Sequence, residues 1–456
     1  MGGRLIRALI VIYGARKIGA AEYGAFSYAL SLAAVFGILA DLGLDAAMIK
    51  EASAHPEKSH QYFSTALAVK IFLIISTVLL VIVAGPSFSN LESANILLPI
   101  VITILVLDTL REFGFAINRS HQKMEKEALV NIITNIGIVV FGVWLITISG
   151  TAWNLAIGYA LGTAIGSFVG FYVIRQYVFG IFKDFRLSLA LDLIKIGWPL
   201  AFAGILGTLM INTDTLLLGL WKTELEIGFY SAAQRPVSTL YGLLGILAAV
   251  TFPIVANLVK TDKERLRALL SKTIHFSFLV AAPLVVGGLI VAEPLMIFLF
   301  GSSYASAALI FQILLLSLFA NFATVTLTNV LVAYSRQRWV LVLSVVGLIG
   351  NAILDIVFIP IWSGAGSAFS TFLIQTLVAI LLWRESTLLI GYSLIPPLKK
   401  VIMASAAMAI GVFILAIFQA NVLLIVVVGA ALYLLVLYFE DEGIFEEFRA
   451  LTRIPS

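Results

Sequence analysis

At 456 residues, 61% hydrophobic and only 12% charged, the chain is excluded from the ordinary soluble proteins, which run at about half apolar and about a quarter charged. Its lack of cysteine excludes disulfides, thiolate metal sites and cysteine catalysis. The net charge of +4 is best read connection by connection as a membrane-orientation signal, not as a nucleic-acid footprint.

The apolar residues fall in about fourteen runs, near the ~20 residues needed to cross roughly 30 Å of hydrocarbon. Their cores are 5–18, 25–42, 62–84, 94–117, 129–148 and 154–174, then 198–220, 229–258, 266–291, 306–333, 340–359 and 365–382, and last 401–418 and 422–439. In lipid each backbone amide must be satisfied within its own helix, so the predicted fold is all-α, a polytopic integral membrane protein. The first run passes into its connection without a small-residue cleavage site, so no signal peptide is expected.

Basic residues set the orientation. Connections after even-numbered spans hold Lys50 and Lys58; Arg119, Lys123 and Lys126; Arg175, Lys183 and Arg186; Lys260, Lys263, Arg265 and Arg267; Arg336 and Arg338; and Arg384, Lys399 and Lys400. Those after odd spans lack bases, with Arg16, Lys17 and Lys222 as the exceptions. Both termini are therefore expected in the cytoplasm. The outer turns are short, and no Walker A string, H-E-x-x-H or Gly-rich fingerprint after a strand is present.

An internal repeat organises the chain. Glu22, Gly24, Phe26 and Ser27 map onto Glu226, Gly228, Tyr230 and Ser231 at one constant offset. Thr134-Asn135-Ile136 lies opposite Gly350-Asn351-Ala352, and Ser149-Gly150 opposite Ser363-Gly364, at offsets roughly ten residues longer, as an insertion near 293–306 would give. Two parallel six-helix lobes follow, an arrangement that places a transporter's substrate site between its halves. The expected domains are a first lobe at 1–176, a cytoplasmic linker at 177–195, a second lobe at 196–390, two further spans at 391–440 and a cytoplasmic tail at 441–456. Gly158, Gly162, Gly166 and Gly170 put a smooth stripe on the sixth span, read as a packing face.

Residues 16–44, 212–235 (NTDTLLLGLWKTELEIGFYSAAQR) and 359–371 (IPIWSGAGSAFST) resemble the polysaccharide flippases of the multidrug/oligosaccharidyl-lipid/polysaccharide exporter superfamily. The likeness runs from about 14 to 383, and the two C-terminal spans look like those of the fourteen-helix members. It implies two six-helix lobes in a V around a cavity, and transfer of undecaprenyl-diphosphate-linked oligosaccharide across the inner membrane. The family's first helix is a full span, whereas the first run here is short and carries Arg4 and Arg7; a start downstream of the natural one and a truncated copy are both open.

A diphosphate lipid calls for cations, and a lone charge at mid-membrane costs on the order of 3 kcal/mol. Lys70 lies about 12 Å inside the third span, either as a cavity cation or snorkelling to the inner interface. Arg111 follows Asp108 by one helical turn; the two either neutralise each other or load substrate from the cytoplasmic side. Asp214 and Arg235 fall at depths of roughly 9 and 12 Å on adjacent antiparallel spans. Their repeat equivalents are Ile10 and Ser31, so the pair belongs to one half only, as an outer gate, an ion-coupling device or a static bridge, with Pro236 expected to kink the helix beside it. Asp41 and Asp45 mark the inner end of the second span, Asp355 is a weaker coupling candidate, and Asn131, Asn135, Gln312, Asn321 and Gln375 are sugar ligands or helix–helix glue.

The expected substrate-binding residues are thus Lys70, Arg111 and Arg235, and the coupling or gate residues Asp214, Arg235 and Asp108. The expected function is a transporter, not an enzyme, working by alternating access on a lipid-diphosphate-linked sugar. With no ATP site, a proton or sodium gradient, the membrane potential or substrate removal must drive it. No cofactor or metal is called for; the partners expected are membrane lipid and polysaccharide-assembly glycosyltransferases or a polymerase. A drug/cation antiporter of the same superfamily would want an acidic, aromatic cavity, and a membrane glycosyltransferase or polymerase a long outer loop bearing catalytic groups.

Overall fold

The computed structural model describes residues 2–85, 91–178, 184–391 and 398–440. The expected tail at 441–456 and residues 179–183 of the expected linker lie outside the described residues. Fourteen α-helices are described: α1 (Gly2–Ile18), α2 (Ala20–Gly37), α3 (Leu44–Ala54), α4 (Ser59–Ala84), α5 (Glu92–Ser120), α6 (Met124–Ile148), α7 (Ala152–Val178), α8 (Leu187–Trp221), α9 (Glu224–Thr261), α10 (Lys263–Phe300), α11 (Ala307–Ala333), α12 (Gln337–Ile390), α13 (Lys399–Ile417) and α14 (Val422–Phe439).

Each predicted span has its helix. The eleventh and twelfth are joined as α12, which kinks at Ser363 (φ 53°, ψ −135°), a backbone region that residues other than glycine seldom enter. The amphipathic α3 was not foreseen, since its four buried residues (Leu44, Ala47, Met48, Ala52) alternate with Asp45, Lys50 and Glu51. Among the described residues, 10 helices are long and apolar enough to cross a membrane, with α12 counted once. The chain is a multi-pass, all-helical membrane protein.

The helices form two compact units, Met1–Ser231 with Ile359–Gly364, and Ala232–Phe358 with Ala365–Ser456. In the first unit the glycine stripe of α7 seats α6 backbone to backbone. A Cβ at Gly158 would lie 2.6 Å from the Gly142 Cα, one at Gly162 2.2 Å from the Ile138 nitrogen, and one at Gly166 1.9 Å from the Thr134 hydroxyl. Such spacing admits only hydrogen, so the stripe sets the approach of the two helices.

The repeated glycines meet each other at a second close crossing. A Cβ on Gly24 would fall 1.7 Å from the Glu224 carbonyl oxygen, and one on Gly228 1.8 Å from that of Ala20. The paired glutamates have matching tasks. Glu22 Oε2 accepts the Ala152 N–H at 2.6 Å at the start of α7, satisfying one of that helix's unpaired amides. Glu226 Oε1 accepts from the Ser363 hydroxyl at 2.5 Å, at the kink of α12. Ser149-Gly150 and Ser363-Gly364 are the repeat equivalents, so each glutamate ties down the same neighbourhood of its copy, one through a backbone amide and the other through a serine hydroxyl.

In the second unit α13 and α14 pack on α10. Leu279, Ala282 and Val291 are buried against Val401, Met408, Val412, Ile425 and Tyr433, and Tyr433 Oη donates to the Leu279 carbonyl at 2.8 Å. Lower on the same helix, Leu266, Leu270 and Ile274 join Leu327, Val330, Leu331, Leu343 and Leu382. α10 runs unbroken to Phe300 and so contains the inserted piece that shifts the repeat offset.

Candidate functional site

The first unit holds two charge clusters, each built on a buried cation. After α2, Leu42 (φ 46°) and Gly43 (φ 74°) turn the chain through the left-handed region. Gly43 packs so closely on α8 that a Cβ would lie 2.3 Å from the Gly197 carbonyl, so this turn requires glycine on both counts. The turn places Asp41 and Asp45 around one lysine. Lys70 Nζ donates to Asp41 Oδ1 at 2.9 Å and to Asp45 Oδ1 at 2.5 Å, and stands 5.7 Å from the Phe113 ring centre.

The Lys70 side chain is fully buried, with Asp41 and Asp45 at 33% and 16% exposure. Asp41 also accepts the Gly43 and Asp45 N–H groups at 3.1 and 3.3 Å, which locks the turn to the ammonium. With both aspartates on the one ammonium, in this conformation the lysine serves its carboxyl partners first. Asp41 and Asp45 were read only as the end of a span. The signal for their role was charge balance, because a buried ammonium needs a partner.

The second cluster lies on α5. Arg111 Nη2 forms an ion pair with Asp108 Oδ1 at 2.8 Å, the i,i+3 contact anticipated, and lies 4.0 Å from Glu112. The arginine is buried beside the Phe115 ring, with its stem against Gly170 of the α7 stripe. Its Nε and Nη1 have no partner among the described residues, whereas Asp108 and Glu112 are partly open. About two turns further along α5, Arg119 grips Glu127 of α6 in a two-pronged pair at 2.8 and 2.5 Å.

Asp214 lies buried in α8 of the first unit and accepts a hydrogen bond from Tyr230 Oη. Tyr230 is the aromatic residue of the second motif copy. Arg235 belongs to the second unit and is exposed. It stands about 16 Å along α9 at 1.5 Å per residue, and α9 continues as a helix through Pro236 and Pro253.

Of the amides, Gln312 donates to the Leu289 carbonyl at 2.8 Å as helix–helix glue, and Asn135 to its own helix at Asn131. Asn321 and Gln375 meet each other across α11 and α12, and Asn351 Nδ2 donates to Asp355 at 3.1 Å. Tyr241, which sequence reasoning passed over, joins the Asn321–Gln375 group through Ser317.

This architecture defines a class, the fold shared by multidrug exporters and lipid flippases. The chain superposes on an inward-closed lipid II flippase, MurJ, with TM-score 0.76 and 19% identity, over 99% of this chain and 98% of that one. On an inward-facing multidrug transporter of the MATE family the TM-score is 0.70 at 15% identity, over 85% and 94%. Within that class the chain belongs to the polysaccharide biosynthesis protein family, whose profile matches residues 1–259; the MatE profile matches 199–357.

Among curated relatives, a probable low-salt glycan biosynthesis flippase, Agl15, of Haloferax volcanii is 22% identical over 81% of this chain and 77% of its own length. The succinoglycan biosynthesis transport protein ExoT of Rhizobium meliloti is 23% identical over 66% of this chain, and the match spans 60% of that protein.

Proposed function

We propose that this protein carries a lipid-linked saccharide from the inner to the outer face of the cytoplasmic membrane, for the assembly of a cell-surface glycan. The substrate class is an undecaprenyl-diphosphate-linked oligosaccharide, and the mechanism is alternating access. The observation that carries the reading is Arg235, an exposed arginine residue on a membrane helix, in a family whose relatives are named flippases and glycan transport proteins. A guanidinium turned into acyl chains would cost about 3 kcal/mol or more, so the side chain is suited to an aqueous interior and an anionic guest. Arg111, with two donating nitrogens left over on its guanidinium, is a second cation in reserve.

In this reading Arg235 and Arg111 are each a cation for the diphosphate, Asp108 sets the Arg111 guanidinium, and the isoprenoid stays in lipid. Lys70 reaches the substrate only in a state where Asp41 and Asp45 release it; in the arrangement described it fixes the turn after α2. Asp214, linked to Tyr230, is the acidic group for coupling to a proton or sodium gradient. The termini lie in the cytoplasm, and the assembling glycosyltransferases or polymerase act on either side of the transfer step.

The test is translocation of a fluorescent undecaprenyl-diphosphate oligosaccharide in proteoliposomes, with and without a proton or sodium gradient. Arg235→Ala is expected to lower the rate at least tenfold, the equivalent of about 1.4 kcal/mol, and Arg235→Lys to retain part of it. An unchanged rate in Arg235→Ala would remove the anion-holding role. The MatE match over 199–357 favours one rival, a drug/cation antiporter, which would export cationic dyes from the same vesicles and leave the glycolipid in place.

A further inference from the structure

The second unit carries a neutral polar group that the cations leave unexplained. Asn321 stands near the middle of α11, and Gln375 in the part of α12 beyond the Ser363 kink. Each lies about 18 Å from the nearer end of its helical segment at 1.5 Å per residue. Asn321 Nδ2 donates to the Ser317 carbonyl at 3.1 Å and also to Gln375 Oε1. Tyr241 Oη of α9 lies 2.5 Å from the Ser317 hydroxyl and donates to the same Gln375 oxygen at a longer 3.4 Å.

These contacts fix which way both amides point. A carbonyl only accepts, so Ser317 must face the Asn321 Nδ2. That donor in turn requires Gln375 to present its oxygen. What remains is one acceptor, Asn321 Oδ1, and one donor group, Gln375 Nε2. Neither has a partner among the described residues, and both side chains are half-exposed.

Left unsatisfied in hydrocarbon, such groups cost several kcal/mol, so their exposure at mid-span matches a polar space. The pairing also selects the guest. A phosphate wants donors alone and would be repelled by the free oxygen. A metal cation wants acceptors alone and would be repelled by the N–H groups. A sugar hydroxyl or an acetamido group offers a donor and an acceptor together and fits both.

We propose that Asn321 and Gln375 form a neutral saccharide subsite that reads a hydroxyl or acetamido group of the headgroup, with Ser317 and Tyr241 as positioning residues. The proposal rests on the glycolipid reading above. It assigns sugar recognition to the second unit by hydrogen-bond pattern and leaves diphosphate affinity to the arginines.

The test uses the full chain in nanodiscs and two probes, undecaprenyl diphosphate bearing one N-acetylhexosamine and bare undecaprenyl diphosphate. The native protein is expected to bind the sugar-bearing lipid about tenfold more tightly, as two good hydrogen bonds allow. Gln375→Met and Asn321→Leu, made separately so that a folding failure in one leaves the other, are each expected to bring the ratio of the two affinities close to one. Helix–helix glue alone would alter stability and leave that ratio intact. Tight binding of the bare lipid with no sugar preference in the native protein, or a preference that survives in the folded variants, would overturn the subsite alone. Failure of the native protein to bind either lipid would overturn the glycolipid reading, and the subsite with it.

Discussion

At the scale of single residues, the structure turns on how a charge survives inside a membrane protein. Lys70 survives by holding Asp41 and Asp45 at 2.9 and 2.5 Å. Removing it would leave two carboxylates facing each other with little water, and breaking a buried pair in this way costs about 3 kcal/mol. Lys70→Ala is therefore expected to lower the thermal midpoint in detergent sharply, and Lys70→Ala combined with Asp45→Ala to recover part of the loss. A double-mutant cycle with no coupling would contradict the clamp.

Arg111 behaves differently, because only Nη2 is committed to Asp108. Arg111→Lys keeps the charge but gives up the flat, multi-donor guanidinium, so translocation is expected to fall while the thermal midpoint changes little. Equal losses in both would mark the arginine as structural.

At the scale of elements, close backbone contact governs. A leucine at Gly162 would drive its Cβ into the α6 backbone at Ile138. Overpacking of that kind costs about 1–3 kcal/mol and more where backbone must move. Gly162→Leu is expected to yield little folded protein by size-exclusion chromatography, whereas Gly204→Leu, where nothing lies within 4 Å of the added Cβ, should be recovered normally. Comparable yields would contradict the packing role of the stripe.

Much at this scale was legible from sequence. Spans of about twenty apolar residues are dictated by bilayer thickness, and a four-residue glycine period has few uses besides close packing. The matched motif copies, with Gly24 against Glu224 and Gly228 against Ala20, were visible as a repeat but not as a crossing, since similarity of two segments does not say that they touch. α3 was missed because a half-buried helix lying between spans has no long apolar run to announce it. The Lys70 clamp was missed for a related reason. Its three charges come from α4, α3 and the turn after α2, and only the fold shows which carboxylates a buried lysine finds. Arg111 and Asp108 were legible because both lie on one helix a turn apart.

At the scale of the whole molecule, the profile match over 1–259 places the chain in the polysaccharide biosynthesis protein family, and its fold is that of flippase and multidrug transporter structures. The proposed cargo has two parts. Arginines on α5 and α9 suit an anion, and the amide pair on α11 and α12 suits a neutral sugar. The most direct measurement is the translocation of fluorescent undecaprenyl-diphosphate oligosaccharide by the purified protein in sealed vesicles, scored by accessibility of the sugar to an external lectin. The account expects transfer well above that of protein-free vesicles and a loss of at least tenfold in Arg235→Ala. Transfer no faster than in empty vesicles under every gradient tried, with cationic dyes moved instead, would contradict it.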